Sequence, residues 1–169
     1  TLNGEGSDEH FGGYLRHNKQ LKLIKKDHLN FSDSILELYK KDISAFSLSL
    51  KKKLNIRKKL EKKIKLIKLK SKIIENKILE FDQLTWIPAL IQRHDMIGMH
   101  FGLEVRPPFL DHELVEITNR LPIKYKFDSK FKNKEILKKL LMKNFTVQVE
   151  KKKIGTPTVF DLILKNKKE

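Results

Sequence analysis

This chain of 169 residues predicts a mainly helical structure, on three observations. Apolar residues recur at three-and-four spacing through its middle, the mark of helices with one buried stripe. Strand signal is confined to the first few residues. No internal repeat suggests a solenoid. At this length the expectation is one sizeable core.

The elements follow in order. Gly4-Glu5-Gly6-Ser7-Asp8-Glu9 and Phe11-Gly12-Gly13 form a glycine-rich turn that leads into a short helix over 8–16, ending at Gly12-Gly13 or soon after. Ser7 is a suitable N-cap, and helix starts favour acidic groups such as Asp8 and Glu9. Residues 17–30 read as irregular and polar. From Ser34 to Leu50, Ile35, Leu38, Tyr39, Ile43 and Phe46 mark an amphipathic helix. Leu54, Leu60, Ile64, Ile67, Ile74, Ile78 and Phe81 fit one stripe of a long lysine-rich helical stretch, in one helix or two. A further helix spans 82–99, with Pro88 near its first turn. Pro107-Pro108 forces an extended segment, and Asp111 caps a helix that ends before Pro122. Residues 133–143 read as helix, 146–160 as loop, and a short last helix begins near Val159.

Composition excludes several classes of function. There is no cysteine, hence no disulfide and no cysteine nucleophile, which fits a reducing cytosol and a cytoplasmic protein. No secretory signal and no run of 18 apolar residues is present, so no membrane span is expected. The six histidines, at 10, 17, 28, 94, 100 and 112, show no zinc spacing. Net charge is +16, but only five of the 37 basic residues are arginines, so 37 − 5 leaves 32 lysines. Recognition of phosphates or bases would favour arginine's planar fork. A specific nucleic-acid partner is not expected, although salt-dependent attraction to polyanions follows from the charge.

The chemistry lies in two blocks. The first holds two carboxylates, Glu5 and Asp8, three residues apart on a turn where glycine lets a ligand approach the main chain. The second runs from Asp95 through Met99, Leu103, Glu104, Val105, Arg106, Pro108, Phe109 and Leu110 to Asp111. Together they resemble the synthetase domain of glutamine-dependent asparagine synthetases, which carries a "SGEGSDE.FGGY" turn and later "D.M.M..GLE.R.PFLD". Lys153-Ile154-Gly155 resembles the family's "K.G" loop. Residues 20–80 carry little of the likeness.

The resemblance implies ATP-dependent amide formation through an acyl-adenylate, with aspartate becoming asparagine and ammonia coming from glutamine. It implies ATP and Mg2+ as cofactors. It also implies a parent α/β domain of the phosphate-loop (PP-loop), Rossmann-related type, of which residues 1–169 would be the C-terminal part. A lysine-rich helical segment, 47–81, lies within it. Neither the PP-loop nor a glutaminase domain is in this sequence, so the fragment alone is expected to be inactive. A homodimer of the full-length form is a further expectation.

By motif position, Glu5 would accept protons from the attacking nitrogen, and Asp8 would bind Mg2+ or the substrate ammonium. Gly4 and Gly6 would keep the backbone close to the nucleotide. Lys153 would stabilise departing pyrophosphate, with Lys151 and Lys152 beside it as a bland alternative. Glu104, Arg106, Asp111 and Asp95 read as architectural. Asn3 stands where the family has Ser or Thr, Pro107 replaces valine, and Thr156-Pro157 departs from the family's "F..P". These departures leave open another acceptor carboxylate, as in surface-polysaccharide amidotransferases or β-lactam synthetases. They also leave open a non-catalytic basic binding module.

Overall fold

A computed structural model describes residues 1–39, 55–127 and 134–145. The chain forms two compact units, Thr1–Ile136 and Leu137–Glu169. The larger unit carries helices α1 (Ser7–Phe11), α2 (Leu15–Lys25), α3 (Phe31–Leu38), α4 (Ile56–Leu66), α5 (Ile74–His100) and α6 (His112–Arg120). Short 3-10 turns lie at Pro108–Leu110 and Ile123–Tyr125, and a last helix, α7, spans Glu135–Asn144. No helix among the described residues is long and apolar enough to cross a membrane.

Helix α1 ends at Gly12-Gly13, the earlier of the expected stops, because glycines bracket it. Gly6 (φ 90°) and Gly12 (φ 72°) both take the left-handed conformation, and the Gly13 N–H closes onto the Asp8 carbonyl at 2.9 Å. Ser7 is therefore the first helical residue rather than the cap. Helix α2 occupies part of the stretch expected to be irregular. Its buried face is His17, Gln20 and Leu21, so two of three inward residues are polar and the helical period is masked. Gln20 is satisfied by donating to the Ser34 hydroxyl at 3.0 Å.

Helix α3 starts three residues before the expected Ser34, because Asn30 supplies a cap whose side chain accepts from the Asp33 N–H at 2.9 Å. The rest of the expected helix to Leu50 lies outside the described residues. Of the two readings of the lysine-rich stretch, the described residues 55–81 take the second, two helices. Between them the Glu80 carboxylate accepts the backbone N–H groups of Lys70 (2.7 Å) and Ser71 (2.9 Å). A tertiary acceptor thus replaces the helical one, with no glycine or proline to announce the break.

Helix α5 continues without interruption into the stretch expected to start at 82. Pro88 therefore sits mid-helix, and the Leu84 carbonyl loses its helical donor. Leu84 is exposed, so water can serve that carbonyl. Helix α6 follows expectation: the Asp111 side chain accepts from Glu113 and Leu114 N–H at 3.1 and 3.3 Å.

Two apolar clusters join these helices. Leu21, Ile78, Leu79 and Phe127 form one, flanked by Ile24, Phe31, Ile74 and Ile123. Ile35, Leu36 and Ile64 form the other, flanked by Phe31, Leu60 and Phe81. Beyond Leu84, helix α5 exposes Ile91, Met96, Ile97 and Met99, so its two halves lie in different environments.

A buried charge network fixes α2 on α5. Asp82 Oδ2 receives Arg16 Nη2 at 2.7 Å and lies 2.6 Å from His17 Nε2. The Arg16 guanidinium also stacks over the rings of Tyr14 (3.7 Å) and Trp86 (4.7 Å). Removing one partner of such a network strands the others. Asp82→Ala should therefore cost about 3–5 kcal/mol in urea unfolding.

Lys126 is 1% exposed. Burial pulls its ammonium down to about 8 from 10.5. Nearby, His10 is itself held neutral, its imidazole lowered to about 4 by burial and then by the Lys126 charge. Between about pH 8 and 10.5 the unfolded chain holds a proton at Lys126 that the folded chain lacks, so stability rises with pH across that window. In paired urea titrations, Lys126→Met should remove this rise and be at least as stable as the parent at pH 7.

Candidate active site

The two sequence blocks meet through their main chains. Leu2 and Arg106 form a parallel bridge, with Arg106 N–H to Thr1 carbonyl at 2.8 Å and Asn3 N–H to Arg106 carbonyl at 3.1 Å. This bridge brings the Pro108–Leu110 turn against α1. Phe109 meets Phe11 edge-on at 6.2 Å. The Leu110 side chain fills the space that a Cβ on Gly6 would need. Position 6 thus demands glycine twice, by its positive φ and by this packing. Position 4 demands it on neither count: nothing lies within 4 Å of a Cβ there.

Glu5 sits at the open side of the turn, a quarter exposed. Its N–H donates to the Asn3 side-chain oxygen at 3.2 Å, so the residue that departs from the usual Ser or Thr orders the turn. His94, far along α5, places Nδ1 3.5 Å from Glu5 Oε1. That nitrogen is buried and has no hydrogen bond among the described residues.

Asp8 faces a cation. Its Oδ1 lies 2.8 Å from Lys134 Nζ, which also donates to the Ser7 hydroxyl at 2.8 Å. The Lys134 N–H donates to the Phe11 carbonyl at 3.1 Å. Lys134 has a positive φ of 57°, a conformation unfavourable for lysine and held here by those three contacts. Gly13 packs against the Asp8 carboxylate so closely that a side chain there would collide with it.

Glu9 points inward instead. It is fully buried, and burial pushes its carboxyl up while the Tyr14 hydroxyl donates to it at 2.6 Å. Burial and that carboxylate push the Tyr14 hydroxyl above its ordinary range. Gln83 of α5 lies 3.0 Å from His10 Nδ1 and 3.0 Å from Asn119 Oδ1, tying α1 to α5 and α6.

The arrangement provides a carboxylate able to take a proton, a second one paired with a lysine, and open main chain at Gly4. The model of one protein family, Asparagine synthase, matches residues 1–164. The chain belongs to the asparagine synthase family. The match runs through the lysine-rich segment, beyond the two motif blocks. No individual curated protein and no solved structure matches the chain. The family's general chemistry is ATP-dependent amidation of a carboxylate.

The expected site residues Gly4, Glu5 and Gly6 share one turn, and Asp8 stands in the helix α1 that follows it. Lys153 lies outside the described residues. Sequence reading missed His94, which looks like one more histidine on a helix. It also missed Lys134, hidden in a lysine-rich background. Of the architectural set, Asp111 is a cap and Arg106 pairs with Glu104, but this pair is exposed rather than buried. Asp95 is exposed.

Asp8 fits a magnesium ion as a single carboxylate whose present partner is already a cation. No group of three or more ligating side chains forms among the described residues, so further ligands would be substrate oxygens, as is usual for this ion.

The two glycines give a direct test of which answers to the fold. Gly6→Ala should cost about 1–3 kcal/mol from strain and collision. Gly4→Ala should stay within about 0.5 kcal/mol of the parent in the same urea titration.

Proposed function

We propose that this chain is the C-terminal part of a synthetase domain that forms an amide from a carboxylate. In this reading aspartate is the acceptor and glutamine-derived ammonia the nitrogen source. The observation that carries it is the single turn presenting Glu5 and Asp8, fastened by the Leu2–Arg106 bridge to the second block. ATP with Mg2+ supplies the activation that turns a carboxylate oxygen into a leaving group. What remains for the protein is to position the acid, place the nitrogen and take up its proton.

Glu5 is suited to taking up that proton. Its carboxylate is partly open and can receive a proton from ammonia as the carbon–nitrogen bond forms. His94 Nδ1, behind it, can orient that carboxylate or share the proton. Asp8 with Lys134 forms a locally neutral pair beside it, where a metal-bound phosphate group can replace the lysine as partner. The open main chain at Gly4 allows a ligand to lie flat against the turn. The exposed apolar half of α5 offers a face on which the phosphate-loop half of the domain would pack.

The test is pyrophosphate release by the full-length protein with ATP, Mg2+ and either aspartate or a panel of other acids. We expect steady-state release with aspartate, abolished by Asp8→Ala and, because the activated acid is no longer consumed, limited to the first turnover by Glu5→Ala. Release with another acid alone would retain the chemistry and change the acceptor. No release with any acid would favour the basic binding module. Lys153 keeps its proposed role at the departing pyrophosphate. Lys153→Ala should slow amide formation about a hundredfold or more, the size expected for one lost electrostatic contact in a transition state.

A further inference from the structure

A cavity of about 370 Å3 opens beside the first half of α5. Lys68, Lys70 and Ser71 come to it from the segment between α4 and α5, Asn76 and Glu80 from α5 itself, and Lys126 from the turn after Ile123–Tyr125. None of Gly4, Glu5, Gly6, Asp8 or His94 lines it, so it is separate from the turn described above. Its volume is that of a site for a small molecule.

Lys126 is the feature that needs an explanation. Its side chain is 1% exposed, yet no carboxylate among the described residues pairs with it. Its ammonium has a neutral partner, Asn76 Oδ1, at a long 3.4 Å. A buried lysine that lines a cavity and lacks an anion is an incomplete arrangement, since buried charges persist when paired. The rest of the lining shares that polarity. Three lysines against one glutamate give 3 − 1 = +2 when all are charged. Both Glu80 oxygens accept backbone N–H groups of Lys70 and Ser71, which engages that carboxylate with the loop. Asn76, Asn119 and Ser71 add neutral donors.

We propose that this cavity binds the phosphate group of a small anionic molecule, held by Lys126 from within and by Lys68 and Lys70 from the rim. Charge favours phosphate over a single carboxylate, because a phosphate dianion balances three lysines less one glutamate. Lysine binds phosphate as a point charge, without the fork that arginine brings to phosphate and carboxylate alike. A dianion matches the +2 lining and supplies the partner that Lys126 lacks. The lysine-rich segment thereby gains a role in binding through Lys68 and Lys70. This inference does not depend on the amide-forming reading, because the two sites share no residue.

The test is calorimetric titration of inorganic phosphate into the intact protein at pH 7 and low salt. Saturable binding is expected, weakened about tenfold or more by Lys126→Met and about threefold by Lys70→Gln. Glu5→Gln should leave it unchanged. Thermal melts followed by circular dichroism would establish that Lys126→Met folds. Lys70→Gln, on the exposed rim, tests the site without touching the interior. Absence of saturable heat up to about 10 mM phosphate would overturn the proposal. So would binding to the Lys126→Met and Lys70→Gln proteins equal to that of the parent, which would mean that scattered surface lysines bind the anion.

Discussion

The Asp82 carboxylate is the fixed point on which the larger unit depends. It is shared between Arg16 and His17 on α2, and one residue further along α5 Gln83 reaches α1 and α6. Two adjacent side chains on one helix thus set the positions of three others. Because α5 is continuous, fixing it at 82 and 83 also sets where His94 stands, about three turns on. The 3.5 Å approach of His94 to Glu5 is therefore a consequence of packing some distance away. A helix broken at Pro88 would uncouple the two, which gives the uninterrupted run from Ile74 to His100 its importance.

What could be read in the sequence divides along physical lines. The turn, the Asp111 cap and the stop before Pro122 were legible because glycine, aspartate and proline act locally. The glycine-rich turn was legible as a candidate site by its motif, and the second block by its order. Helix α2 was not legible, because His17 and Gln20 occupy its buried face and break the apolar pattern. Nor was the interruption at 67–73, which rests on a carboxylate from ten residues away accepting loop N–H groups. His94 and Lys134 escaped for the same reason: each becomes notable only when another segment is brought to it.

The charge of the chain shows how little a total says about particular residues. Most of the described lysines are solvated and make no singular contact, and their cost is only the diffuse self-repulsion of a +16 chain. Two differ. Lys134 is drawn into a strained conformation to meet Asp8 and Ser7, and Lys126 is buried with no carboxylate among the described residues beside it. Desolvation penalises the charged form of the second, whereas the first has a carboxylate 2.8 Å away. Composition cannot separate these two from the rest; burial and partner do.

The short helix α1 and the turn before it divide their residues between fold and chemistry. Gly6, Ser7, Glu9, His10 and Phe11 are buried, and each serves the fold. They supply a positive φ, a hydroxyl for Lys134, a carboxyl for Tyr14, a ring nitrogen for Gln83 and a ring for Phe109. Gly4, Glu5 and Asp8 remain at least partly open. Of these, Asp8 has a partner that a ligand could displace, Glu5 faces an imidazole at a long distance, and Gly4 has open space. A turn built solely for stability would not need a glycine facing empty space or a carboxylate held 3.5 Å from an imidazole. The residues the fold leaves least explained are the ones to which the proposed amide chemistry gives roles, and this correspondence favours the catalytic proposal over a surviving scaffold.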